Sequence, residues 1–252
     1  MKDVSLQDLL KSGAHFGHQT SRWNPKMAPF IFTVRNNIHI MDLAQTRERL
    51  LSAMQFAKDT ASKGGLVLFV GTKRQAKEQV KMAAQACGMP YVITRWLGGT
   101  FTNFRTIQKT IKKMERYEGL KATGELERNY TKKERLLVER ELVKMKTLFE
   151  GIKDLRKLPE AVIVFDINYD EIAVTEAKKS KVKIIGVVDT NSSPDGIDFP
   201  IPSNDDAIKA IGLVAEAIAD AINEGKKNMN VAPAVNSQMQ APAAMKKEEA
   251  GV

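Results

Sequence analysis

Three short stretches hold the residues best suited to binding chemistry. The first, HFGHQTSRWNPKM (residues 15–27), sets His15, Gly17, His18, Arg22, Asn24 and Lys26 around the rings of Phe16 and Trp23. Cationic heads interleaved with rings suit phosphate pairing and the stacking of bases or riboses. The plainer reading is an arm whose rings pack on the rest of the chain. Both can hold, because a packed ring positions its charged neighbours. The second stretch, FVGTKRQA (residues 69–76), puts Lys73 and Arg74 at a strand-to-helix turn. Backbone N–H groups at such a turn attract anions. A nucleotide phosphate is one candidate, but the spaced glycines of a dinucleotide loop are missing, and so is the spacing of a P-loop. A nucleic-acid backbone and a solvated tight turn fit the same residues. The third, TRWLGGTFTNFRT (residues 94–106), carries Arg95 and Trp96, a Gly98-Gly99 bend, and then Asn103 and Arg105. It reads as a hinge with a surface suited to RNA.

Acidic residues gather in VDTNSSPDGIDFPIPSNDD (residues 188–206), which contains Asp189, Asp195, Asp198, Asp205 and Asp206. Acids that follow strands lie where α/β folds build sites. With His18 they compose a nitrogen-and-carboxylate donor set for zinc or magnesium. The alternative is structural: Asn204 or Asp205 caps the last helix, and Pro194-Asp195-Gly196 makes a turn. No Ser/His/Asp or Cys/His set stands out. The single cysteine, Cys87, allows neither an internal disulfide nor a thiolate zinc cluster, and a reducing compartment is expected.

These stretches are positioned by a chain of 252 residues with 39 Lys plus Arg against 30 Asp plus Glu, a net +9. An apolar content of 43% supports a real core and rules out wholesale disorder. The basic balance points to a polyanionic partner. The longest apolar-looking segment, residues 208–222, is broken by Lys209, Glu216 and Asp220, so no membrane span is expected, and the start of the chain lacks the apolar run of a signal peptide. A cytoplasmic protein is the expectation.

Along the chain, residues 1–43 read as an N-terminal arm, with a short helix after Ser5, followed by a β-hairpin that turns at Asn36-Asn37. Helical spacing of Leu43, Leu50, Met54 and Ala57 then gives way to the strand LVLFV (residues 66–70), a second helix to Cys87, and a strand at Tyr91–Ile93. Further strands fall at residues 161–165, 183–188 and 198–201, with helices at 169–180 and 205–223. Short continuous apolar runs suit strands covered on both faces. The alternation of strand and helix over 44–100 and 158–225 predicts a flavodoxin-like doubly wound α/β domain with a five-stranded parallel sheet. Residues 101–157 interrupt it. Phe104, Ile107, Ile111 and Met114 form one heptad seam; Val138, Leu142, Met145, Phe149 and Ile152 form another. Thr131 and Glu134 make a capping box between them. An inserted antiparallel coiled-coil hairpin follows, with 16 basic against 9 acidic residues. Such lysines are often only a solvated face. Residues 226–252, rich in Ala, Gln, Asn and Pro, read as a flexible tail.

Four motifs in order, GAHFGHQTSRWNPKMAPFIF, LFVGTKRQA, RWLGGTFTNF and VDTNSSPDGIDFPIPSNDDAI, closely resemble the bacterial small-subunit ribosomal protein S-two family, over roughly Val4 to Lys226. The resemblance implies a structural, non-enzymatic constituent that binds small-subunit ribosomal RNA on the solvent side near the head–body junction. It also implies contacts with neighbouring small-subunit proteins and a docking platform for the mRNA-capturing, OB-repeat ribosomal protein S-one. Carried over by position, the RNA-facing residues are His15, Gly17, His18, Arg22, Trp23, Asn24, Lys26, Lys73, Arg74, Arg95, Asn103 and Arg105. No cofactor is required; a bridging zinc on His18, Asp189, Asp205 and Asp206 is the one metal expectation. Two rivals stay open: a nucleotide-binding module built on GTKRQ and the aspartates, and a protein-only scaffold presenting the coiled coil.

Overall fold

A computed structural model describes residues 4–231, and their elements follow the hydropathy pattern. Helix α1 (Leu6–Ser12) starts at a capping box of Ser5 and Asp8 and ends on left-handed Gly13. Strand β1 (Phe16–Gln19) and two tight 3-10 turns, Thr20–Arg22 and Pro25–Phe30, lead into β2 (Ile31–Arg35) and β3 (Ile38–Met41). Asn36 and Asn37 both take positive φ, as the two-residue turn between β2 and β3 requires. The arm is therefore not simply extended: β1 pairs antiparallel with β3, giving a three-stranded sheet in the order β1-β3-β2. Only Phe16 in β1 is a strong strand former, so tertiary pairing rather than local pattern makes this strand.

Asp42 caps α2 (Leu43–Ser62), accepting from the Ala44 N–H at 2.9 Å. Then come β4 (Val67–Val70), α3 (Lys77–Ala86) and β5 (Tyr91–Val92). The insertion holds α4 (Phe104–Ala122), α5 (Glu125–Asn129) and α6 (Lys132–Phe149). The domain resumes with β6 (Ala161–Val164), α7 (Glu171–Lys179), β7 (Lys183–Val188), β8 (Phe199–Pro202) and α8 (Ile208–Val231). All five strands of the main sheet run parallel in the order β5-β4-β6-β7-β8, the flavodoxin-like arrangement. Alternate residues serve opposite faces. Val67, Phe69, Ala161, Ile163 and Ile185 share a core with α2, α3 and α8; Leu68, Val70, Val162, Val164 and Ile184 share one with α7 and the root of the hairpin.

Within the hairpin, Ile107, Ile111 and Met114 of α4 are buried, as are Val138, Leu142, Met145 and Phe149 of α6. Thr131 and Glu134 form the expected capping box. The patternless link still builds α5, through buried Leu126. Across the seam Lys113 pairs with Glu141 at 2.6 Å, Lys146 with Glu118 at 2.8 Å and Lys121 with Glu139 at 3.3 Å. Exposed pairs of this kind add little stability, and the excess of basic over acidic residues on the hairpin is the same with or without them.

The last helix corrects the sequence reading. It continues through Lys226 to Val231 instead of yielding to a tail there. Gly225 lies where a Cβ would strike the Lys58 carbonyl, so glycine lets α8 and α2 approach closely. Lys226 Nζ donates to the Cys87 carbonyl at 2.6 Å. The remainder of the predicted tail, 232–252, lies outside the described residues.

Candidate nucleic-acid interface

The three basic stretches and both ends of the acidic one fall at the carboxyl end of the parallel sheet; Asp198 does not, accepting from the Ile184 N–H and Lys183 Nζ at the amino end of β7. Lys73 and Arg74 follow β4, Arg95 follows β5, and the arm docks on the loop after β7. The docking is specific: the Asn24 N–H donates to the Thr190 carbonyl at 2.8 Å and the His18 N–H to Thr190 Oγ1 at 2.8 Å. Gly17 is needed beneath, because a Cβ there would lie 2.5 Å from Thr190 Cγ2. Asn24 Oδ1 also accepts from the Lys26 N–H at 3.0 Å, capping the second 3-10 turn. Gly17 and Asn24 thus shape the arm, and Arg22, Trp23 and Lys26 project from it, exposed. The Trp23 ring lies 5.1 Å from that of His39, tilted by 34°, so the packing reading of that ring holds on one side. Lys26 is paired with Asp195. Half-buried His15 sits at 4.0 Å from Phe16, and burial holds its imidazole below the ordinary 6.5.

The turn after β4 serves two ends. Arg74 is exposed, whereas Lys73 reaches inward to Asp166 at 2.9 Å, Asp205 at 2.8 Å and Asp206 at 2.7 Å. Burial opposes its charge, but hydrogen bonds to Asp205 and Asp206 outweigh this and raise its pKa. Lys73 was expected to face RNA; here its charge is spent on three carboxylates. Asp166 is a site residue that the sequence reading missed. Its only signal was its place directly after the apolar run of β6. Beside it, Thr72 donates its N–H and hydroxyl to buried Asp170, at 3.1 and 2.7 Å. The switch point between β4 and β6, where such sheets receive nucleotides, is thereby bridged by the protein's own side chains.

Around Lys73 the expected acidic cluster assembles. Donor atoms of His18, Asp189 and Asp205 all lie within 4.8 Å of one another. His18 Nδ1 is 3.1 Å from Asp189 Oδ1, close but not aligned as a hydrogen bond, and Nε2 is 3.6 Å from Asp206 Oδ2. Contact with Asp189 holds the imidazole above its ordinary 6.5, against the opposing effect of burial. Asp189 and Asp205 are each only 1% exposed, and burial first, then Asp189 and Asp166, lift the Asp205 carboxyl to about 7. Asp206 stands at the rim, half exposed and held by Lys73. Asn204, not Asp205, caps the turn into α8: its Oδ1 accepts from the N–H groups of Asp206 and Ala207 at 2.8 and 3.1 Å.

The loop after β5 and the first turn of α4 present Arg95, Asn103 and Arg105 exposed, while Trp96 and Phe101 of the same loop are buried and pack edge to face at 4.9 Å. A flavodoxin-like domain with its switch point filled, an inserted helical hairpin and a rim of exposed cations defines a binding protein of the α/β class. A comparison with known families gives the particular one: residues 9–225 match Ribosomal protein S2, and the chain belongs to that family. It is therefore a structural protein of the small ribosomal subunit, working in translation in the company of ribosomal RNA and other ribosomal proteins. No helix among the described residues is long and apolar enough to cross a membrane.

Proposed function

We propose that this chain is an architectural RNA-binding protein. It grips small-subunit ribosomal RNA on the solvent side near the head–body junction and docks ribosomal protein S-one. The reading is carried by one observation: Arg22, Trp23, Lys26, Arg74, Arg95, Asn103 and Arg105 are all exposed on segments at the same end of a rigid sheet. Lysine and arginine pair with phosphates there and release counterions. Recognition of folded RNA then rests on the shape of the rim more than on base edges. The bridged switch point weighs against the nucleotide-binding rival. Cross-linking with mass spectrometry on intact small subunits tests the proposal. Arm and loop peptides are expected on ribosomal RNA, and Lys11 of α1 on S-one. A chain that leaves small subunits in high-salt sedimentation and cross-links only to proteins would support the scaffold instead.

Two features support S-one docking. A groove of about 410 Å³ runs between α1 and the three-stranded sheet, lined by Leu6, Leu10, Phe32 and Ile40. Phe32 is 75% exposed there, and exposed apolar surface of this kind marks partner sites. The second is the His18 cluster. Its imidazole and carboxylate donors fit zinc, and His18 Nδ1 has no aligned hydrogen-bond partner. Lys73 already pairs with Asp205 and Asp206, whereas Asp189 accepts from neutral donors, the N–H and hydroxyl of Thr190 and the N–H of Asp205, which leave its charge for a metal beside His18. When bound, zinc would supply a bridge to donors of the partner. In equilibrium dialysis the full chain should retain zinc, and His18→Ala and Asp189→Asn should each lower the affinity at least tenfold. Equal retention by all three would remove zinc from this cluster.

A further inference from the structure

One anion cradle in this chain is filled by its own carboxylate. The loop 94–103 leaves β5, turns at Gly99 with φ of 90°, and enters α4. Three of its N–H groups converge on Glu176 of α7. Glu176 Oε1 accepts from Gly99 at 2.5 Å; Oε2 accepts from Phe101 at 2.9 Å and from Thr102 at 3.3 Å. Glu176 is 6% exposed and, among the described residues, forms no ion pair with a cation. Burying a carboxylate is costly, and an apolar residue on that face of α7, beside Ala173 and Ala177, would carry no such cost. What the carboxylate adds is direction. Three fixed donors meet two oxygens at only one tilt of the loop.

That tilt decides where exposed groups point. Arg95 lies just before the gripped amides, and Asn103 and Arg105 just after them. The first turn of the hairpin starts from the same segment, with the Asn103 N–H bonded to the Gly99 carbonyl at 2.8 Å. We propose that Glu176 is a positioning residue for RNA binding: by holding the amides of Gly99, Phe101 and Thr102 it aims Arg95, Asn103 and Arg105 at the polynucleotide. The proposal rests on the reading of those three residues as RNA-facing.

The test is a cycle of full-length chains rebound to small subunits that lack this protein. Glu176→Gln keeps the shape but turns one acceptor oxygen into a donor facing N–H groups. It should fold, by circular dichroism, and bind about tenfold more weakly, the size of a lost charged hydrogen bond. Arg95→Ala with Arg105→Ala should weaken binding more. Adding Glu176→Gln to that pair should cost only a small part of its single-variant loss, because both cations it aims are gone and Asn103 alone remains to be aimed. A loss that multiplies in full across the cycle, or no loss in Glu176→Gln alone, overturns the positioning role. If the arginine pair binds like the unaltered chain, the RNA-facing reading of the loop fails first and takes the role with it. Should Glu176→Gln not fold, Glu176→Asp, which keeps the charge and shortens the reach, enters the same cycle with the same expectation.

Discussion

Replacing Lys73 with methionine should lower folding stability by about 3–5 kcal/mol near pH 8 in metal-free buffer, the scale of removing one partner from a buried ion cluster. Methionine fills much of the stem volume but leaves Asp166 and Asp205 buried without their shared cation. The pH dependence fixes the cause. With its carboxyl lifted to about 7, folded Asp205 keeps a proton that the unfolded chain gives up near its ordinary 3.8. Stability from this group is therefore full at the acid end and is lost as pH rises through about 7. Lys73 opposes the lift, so its removal raises the folded value further. The deficit of the variant should shrink between about pH 8 and about pH 5.5. Urea unfolding at both values checks this. An equal deficit at each would put the cost in packing and not in charge.

Alanine at Arg22, Arg95 and Arg105 together should weaken rebinding to small subunits by about two orders of magnitude near 0.1 M salt, if each arginine neutralises one phosphate. The slope of log affinity against log salt should flatten by up to ~2.7, from ~0.9 per contact. Folding should hardly change, since all three side chains are exposed. Salt titration of binding is the measurement. A slope equal to that of the unaltered chain would show that these arginines meet protein or water. Lys26 is left out of this set because Asp195 already pairs with it.

The sheet was legible because its signal is local. Val67–Val70 and Ala161–Val164 are continuous apolar runs with both faces covered, and among the described residues no other element of that length has such a pattern. The heptad seams and the Thr131–Glu134 box likewise announced the hairpin. The arm strand was not legible, since FGHQ has one apolar residue and owes its conformation to β3. Nor was the end of α8, where Gly225 reads as a stop until the closeness of α2 explains it. For the site, residue types were legible and partners were not. Of the expected set His18, Asp189, Asp205 and Asp206, the first three bring donor atoms within 4.8 Å of one another, yet nothing in GTKR says that Lys73 points into the acids while Arg74 points out. Glu176 is invisible in sequence, because a glutamate on an amphipathic helix ordinarily faces water.

The strand order has a consequence for synthesis on the ribosome. The central strand β6 lies beyond the whole hairpin in sequence, and α2 is covered by α8, whose residues are among the last described. A nascent chain emerging from its amino end must therefore carry β4 uncovered on one edge until β6 has been made, and α2 uncovered along its length until α8 has been made. Pairings so distant in sequence close slowly, and the waiting apolar surfaces invite aggregation. The hairpin, whose two arms are neighbours in the chain, is free to zip first.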